Sequence, residues 1–235
     1  MDDICLGASA RTTTKLKQIL ERTTTSILQE AKASAIEFEI DKTELLYASR
    51  KREPIQQSIN VGKETIHPSK LVRWLGFFLD SKLSYREHVQ RKVAAAQQAF
   101  YRLQRLGNTQ RGLSMQATRL LYIACVASIA DYGTQAWWGK GKKGLLQYFQ
   151  TLQNAALRQI LGAFRGSPIR AMEIEAAILP PQLRAEKLCS QYALRIQSFS
   201  SNHPIKKALI RQKQHKGLQT QLSKLASRGE YSTVE

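Results

Sequence analysis

Asp2 and Asp3 are adjacent carboxylates at the start of the chain. Carboxylate oxygens suit a divalent metal when a strand or turn aims both at it and further oxygen ligands come from elsewhere. Two acids beside a start Met are ordinarily solvated and inert, so the pair alone specifies no site. Lys42 stands inside the segment FEIDKTEL, residues 38–45. A lysine that opens a strand after an acidic turn is most often a solvated edge residue. His67, His203 and His215 show no metal-ligand spacing, and His88 reads as a helix-surface histidine with no nucleophile placed near it. Cys5, Cys125 and Cys189 are odd in number and far apart, which excludes a disulfide framework and a paired-cysteine zinc site.

Cationic residues carry the stronger signal. The 235 residues hold 36 Lys and Arg against 18 Asp and Glu, a formal charge of +18. Residues 1–80 hold 12 basic and 11 acidic side chains, whereas residues 81–235 hold 24 and 7. One part is near neutral and the other a polycation, which points to a nucleic acid or another anionic surface. Arg86, Arg91, Lys92, Arg102, Arg105, Arg111 and Arg119 fall off the apolar positions of their segments, and no acid occurs between Arg91 and Ala130. Surface charge is usually a solvated face, but such a face normally mixes signs. Uncompensated cations over several turns repel one another unless phosphate neutralises them. Trp137 and Trp138 offer base-stacking rings, yet at the end of an apolar helix they are expected to close the core. Tyr101, Tyr122, Tyr132 and Phe149 recur at core-like spacing and are expected to pack.

These residues need elements to position them. Leu16, Ile19, Leu20, Ile27, Ala31 and Ala35 predict a helix over 12–35, despite threonines that lower its propensity. Phe38 with Ile40, and then Glu44 to Ala48, predict two strands meeting near Asp41-Lys42. SINVGKETIHP predicts a hairpin with Gly62-Lys63 at its tip, and VRWLGFFL a strand pair about Gly76. Ser84-Tyr-Arg-Glu87 reads as a capping box. It opens a helix with Tyr85, Val89, Val93, Ala96, Phe100 and Leu103 on one stripe. A helix from Ser114 to Trp137 or Trp138 is apolar nearly all round and so expected to be buried. Another carries Leu145, Phe149, Leu152, Ala156 and Ile160, a short one covers 170–178, and a last one has Leu188, Tyr192, Ile196 and Phe199 on one face. After Ser200 the chain is basic and poorly periodic, and a disordered tail is expected. The fold class is therefore α+β: a short antiparallel sheet plus helix over 1–82, an all-helical bundle over 83–200 and a basic tail over 201–235. The longest apolar run, Leu120 to Ala130, is too short to span a bilayer. The start MDDICLGAS has neither basic nor apolar signal regions, so an intracellular protein is expected.

In their order, Met1-Asp2-Asp3, the long helix, FEIDKTELLYAS, the basic loop and hairpin, and VRWLGFFLDSKLSYREHV resemble the distal part of the reverse transcriptase of non-LTR (LINE-like) retrotransposons, of fungal type. The resemblance covers residues 1–200. It implies that Asp2 and Asp3 end the family's aromatic-x-Asp-Asp motif and bind catalytic Mg2+. It makes Lys42 a candidate proton donor to the leaving pyrophosphate. Trp74 and Gly76 would lie in the primer-grip hairpin, and Arg86, Arg91, Lys92, Arg102, Arg105 and Arg111 on a thumb that holds an RNA template and DNA primer by their backbones. The fold implied is a partial palm followed by a helical thumb and connection. Fingers, most of the palm and the first metal-binding Asp are absent from the sequence, so the resemblance implies a missing upstream polymerase segment. A two-metal site needs carboxylates from both palm motifs, and this chain alone is expected to be inactive. The competing reading is a non-catalytic, basic helical nucleic-acid-binding protein whose α+β part is only a scaffold. It explains the charge but not the ordered motifs. A binder of anionic membranes is weaker still, because the cations do not flank an exposed apolar face.

Overall fold

The computed structural model describes residues 4–49, 51–105, 112–139 and 143–214. The chain divides into two compact units, Met1–His88 and Val89–Glu235. Together they are α+β, with two small antiparallel sheets followed by helices. Among the described residues no helix is long and apolar enough to cross a membrane.

In the first unit, α1 (Thr13–Ala33) starts where the Thr12 hydroxyl accepts from the Lys15 amide at 3.3 Å. Its threonines fit the helix because Thr24 and Thr25 donate back to the carbonyls of Leu20 and Glu21 at 2.7 and 2.8 Å. β1 (Ile59–Val61) pairs with β2 (Glu64–Ile66) about Gly62, whose φ of 62° suits glycine at this tight turn. Leu16, Leu20 and Leu28 of α1 pack on a core of Leu45, Tyr47, Ile59, Val61 and Ile66. Glu21 closes part of the β1 edge by accepting from the Asn60 amide at 2.8 Å.

The two strands expected between Phe38 and Ala48 do not form a pair. Ile40–Lys42 is a single 3-10 turn, and Leu45 makes an isolated parallel bridge to Pro68. Period-2 alternation is still present, with Leu45 and Tyr47 buried and Ala48 exposed. The segment instead ties to the base of the next hairpin: the Ser69 amide donates to the Leu45 carbonyl at 2.8 Å and the Ser49 amide to the Ser81 carbonyl at 3.0 Å.

That hairpin is β3 (Leu71–Trp74) and β4 (Phe77–Asp80), registered Leu71 opposite Asp80 and Trp74 opposite Phe77. Its two-residue turn puts Leu75 at φ 46° and Gly76 at φ 76°, both left-handed, which matches the strand twist. After it comes α2 (Arg86–Gln104). The Ser84 hydroxyl accepts from the Arg86 amide at 3.3 Å, and Asp80 Oδ1 accepts from the amides of Ser84 and Tyr85 at 2.9 and 3.1 Å. Asp80 thus serves the Ser84 amide that the capping-box reading assigned to Glu87. His88 corrects its surface assignment: it is fully buried and stacked on Phe77 at 5.0 Å, and its Nδ1 accepts from the Phe78 amide at 3.4 Å.

In the second unit, Val89, Val93, Ala96 and Phe100 of α2 form one buried stripe, as their spacing dictates. The span expected as one buried helix is broken. α3 (Met115–Leu121), capped by the Ser114 hydroxyl, leads into a π-helical segment at Tyr122–Ala127 and then α4 (Ser128–Ala130). Gly133, at φ 74°, turns the chain into α5 (Thr134–Trp137). Only one side is buried, at Tyr122, Val126, Ala127 and Ala130, while Leu120 is 65% exposed and Ile123 41%. Trp137 stacks on Phe149 and meets Trp138 edge-on, closing this core. Tyr101 and Tyr132, expected to pack, are 53% and 42% exposed.

α6 (Leu146–Leu161) buries Phe149, Leu152, Ala156, Leu157 and Ile160 and stops at left-handed Gly162. α7 (Ile169–Glu175) and α8 (Pro181–Gln197) follow. On α8 the buried stripe is Pro181, Ala185, Cys189, Ala193 and Ile196, rotated one position from the larger side chains Leu188 and Tyr192. The tail expected to be disordered from 201 carries α9 (Pro204–Gln214).

Candidate nucleic-acid interface

α2 places two of the proposed phosphate contacts together. Residues eleven apart in an α-helix lie on nearly the same side, about 16 Å apart along the axis. Arg91 and Arg102 are so related, they lie opposite the Val89–Val93–Ala96–Phe100 stripe, and both are exposed. Between them the exposed positions are Ala94, Ala95, Gln97, Gln98 and Tyr101, none of them acidic. Arg105 is exposed in the turn after α2, and Arg86 is exposed on its first turn, within the first unit.

Two cations are engaged otherwise. Lys92 is half-buried, its ammonium 4.1 Å from the centre of the Tyr132 ring, a cation–π contact that ties α2 to the corner before α5. Arg119 points inward and donates to the carbonyls of Ala176 and Ala177 at 2.6 and 2.9 Å, which satisfies the end of α7. Arg111 lies outside the described residues.

Two acids of this unit, Asp131 and Glu173, are engaged in its interior. Asp131 takes a two-bond fork from Arg184, at 2.6 and 3.1 Å. Arg184 also donates to Gln153 Oε1, and Gln153 in turn donates to Glu173 at 3.0 Å and to the Leu179 carbonyl at 3.1 Å. Glu173, 3% exposed, holds Arg170 at 2.8 Å. Burial pushes the Asp131 carboxyl up, and the Arg184 guanidinium offsets part of that rise. Burial likewise pushes the Tyr122 phenol, which bonds Arg184, up to about 12. Sequence reading missed this network. The available signal was Asp131 itself, the first acid after a long acid-free stretch and at the end of an apolar run, where a carboxylate needs a partner.

In the first unit, Trp74 is half-buried, its Nε1 sealed from solvent without a hydrogen-bond partner, and Gly76 shares the hairpin tip with Leu75, which is 53% exposed. Lys42 sits on the exposed 3-10 turn, paired with Glu39 at 2.5 Å. Asp2 and Asp3, the proposed metal ligands, lie outside the described residues. Among the described residues, no group of three or more His, Cys, Asp or Glu side chains could hold a metal ion.

The chain is 26% identical over 160 residues to the probable RNA-directed DNA polymerase from transposon BS of Drosophila melanogaster. The match takes in 68% of this chain and 18% of that relative, so the chain spans less than a fifth of the relative's length. No family model matches the chain, and no solved structure matches it. The likeness supports a reverse-transcriptase-like region of retrotransposon type.

Proposed function

We propose that the chain is the distal palm, primer grip and thumb of a non-LTR retrotransposon reverse transcriptase of fungal type, and that α2 lays its outer face on a template–primer duplex. The observation that carries this reading is the alignment of Arg91 with Arg102, both exposed on the outer face of α2 with no acid between them. Such a face binds phosphates by charge and reads no base edges. Leu75 supports the grip assignment. A leucine held left-handed and half out in solvent costs about 1–2 kcal/mol against a relaxed conformation. An apolar hairpin tip that touches a primer end gives that strain a use. In this reading Asp2 and Asp3 are the residues that would hold Mg2+, and Lys42 would exchange Glu39 for the leaving pyrophosphate.

The test is binding of the full chain to a blunt RNA–DNA hybrid across a salt series. The log affinity falls with log salt by several units, since each neutralised phosphate contributes about −0.9 on B-form DNA. Arg91→Glu, Arg102→Glu and Arg105→Glu together flatten that slope and leave far-UV helicity unchanged. An unchanged slope in the triple variant would falsify the assignment of this face.

A further inference from the structure

We propose that the turn between α6 and α7 is a second nucleic-acid contact, in which Phe164 stacks on an unpaired base of a single strand and Arg165 meets the adjoining phosphate. The inference rests on the chain being a nucleic-acid binder, but it concerns another element than α2 and another form of the ligand. Phe164 is 87% exposed, more than any other large apolar side chain among the described residues. A single exposed apolar residue is ordinary and by itself carries nothing. What distinguishes this one is how it is held and what surrounds it. Gly162, left-handed at φ 62°, ends α6, and the Ala163 amide donates to the Arg158 carbonyl at 3.0 Å. The Ser167 amide then donates to the Phe164 carbonyl at 3.1 Å, closing a tight turn over residues 164–167. From α6, the Arg158 guanidinium donates to the Asn154 carbonyl at 3.1 Å and to the Arg165 carbonyl at 3.2 Å, which ties the turn to the helix. An aromatic ring presented on a backbone so fixed loses little further freedom when it stacks.

The turn is open to a ligand, since a methyl group at Gly162 or Gly166 would meet no atom within 4 Å. Its exposed neighbours set the chemistry. Within the turn they are Arg165 and Gly166, a cation and bare backbone, where a protein-binding anchor would have an apolar surround. Residues 132–172 contain no acid, and Arg158, Arg165 and Arg170 lie on or beside the turn. The next acid, Glu173, is buried against Gln153 and Arg170, and exposed Glu175 stands at the opposite end of α7. A flat ring beside a guanidinium takes one nucleotide: the ring stacks on any base and the cation neutralises its phosphate. A duplex offers no such base, because its bases are already held inside the stack.

Binding of the full chain is measured by fluorescence anisotropy with oligouridine, with oligodeoxythymidine, with an abasic strand that keeps the phosphates, and with the blunt RNA–DNA hybrid. Phe164→Ala weakens binding to the base-bearing single strands about fivefold or more, as alanine does at a stacking aromatic, and leaves hybrid binding unchanged. A loss for only one of the two strands assigns the site to RNA or to DNA. Phe164→Tyr keeps the parent affinity, whereas Phe164→Leu, apolar but without a flat π face, falls with the alanine variant. The abasic strand binds the parent and Phe164→Ala alike. Because the side chain is exposed, all three variants melt with the parent, so lost affinity is not lost folding. Parent-like affinity for both single strands in Phe164→Ala overturns the proposal. Parent-like affinity in Phe164→Leu also overturns it and makes Phe164 an apolar anchor for a protein. A parent chain that binds the single strands but not the hybrid refutes the α2 face alone, and one that binds neither refutes both.

Discussion

Replacing Arg184 with Met tests how the second unit is locked. Arg184 gives Asp131 two hydrogen bonds and Gln153 a third, and the two ionic side chains retain 14% and 17% exposure. Removing one partner of a buried ion pair typically costs about 3–5 kcal/mol, because the remaining charge has neither water nor partner. The residual exposure places this case near the lower end, about 3 kcal/mol, still a large part of the roughly 5–15 kcal/mol that stabilises a typical domain. The sign with pH follows from Asp131. Its folded pKa is already raised by burial, so its contribution is fully present below the unfolded value and is lost as pH rises through the folded one. Without Arg184 that folded pKa rises further, so the Arg184→Met deficit grows as pH climbs from about 4 towards neutrality. Urea unfolding followed by far-UV circular dichroism at several pH values measures it. The double variant Asp131→Asn with Arg184→Met recovers about half of the loss, since no charge is stranded. A cost below about 1 kcal/mol, or a double variant as unstable as the single one, refutes the view that this pair is desolvated and mutually dependent.

Leu75→Asn gives the β3–β4 turn its preferred Asn-Gly pair and raises first-unit stability by about 1 kcal/mol, while affinity for a primed template falls a few-fold. Equal affinity would remove Leu75 from the grip. Iodoacetamide on the native chain labels exposed Cys5 and Cys125. Cys189 stays unmodified until denaturant is added, because burial raises its thiol to about 11. Native labelling of all three thiols would contradict the packing of α8.

Elements set by local spacing were legible in the sequence. Both hairpins carried their turn residues, Gly62-Lys63 and Gly76, and the α2 stripe was plain from the spacing of Val89, Val93, Ala96 and Phe100. What failed depended on distant partners. Residues 45–49 alternate like a strand, but what they meet is the base of a hairpin more than twenty residues on, and two backbone ties replace a ladder. The apolar run 120–130 looked uniformly buried because composition does not say which side has a neighbour; the corner after it is held by Arg184, 53 residues away. On α8 the large residues suggested a stripe, whereas close packing selected the small Ala185, Cys189 and Ala193. Cations read alike in sequence, whereas the fold turns Arg119 to two backbone carbonyls and Lys92 to an aromatic ring.

The most direct measurement is photocrosslinking from the outer face of α2. A benzophenone amino acid at Gln98, exposed midway between Arg91 and Arg102, is compared in the full chain with the same probe at Leu194, 64% exposed on α8. With an RNA–DNA hybrid, position 98 crosslinks to nucleic acid in a salt-sensitive manner and position 194 does not. Equal crosslinking from both positions, or crosslinking from 194 alone, contradicts the placement of the duplex on α2.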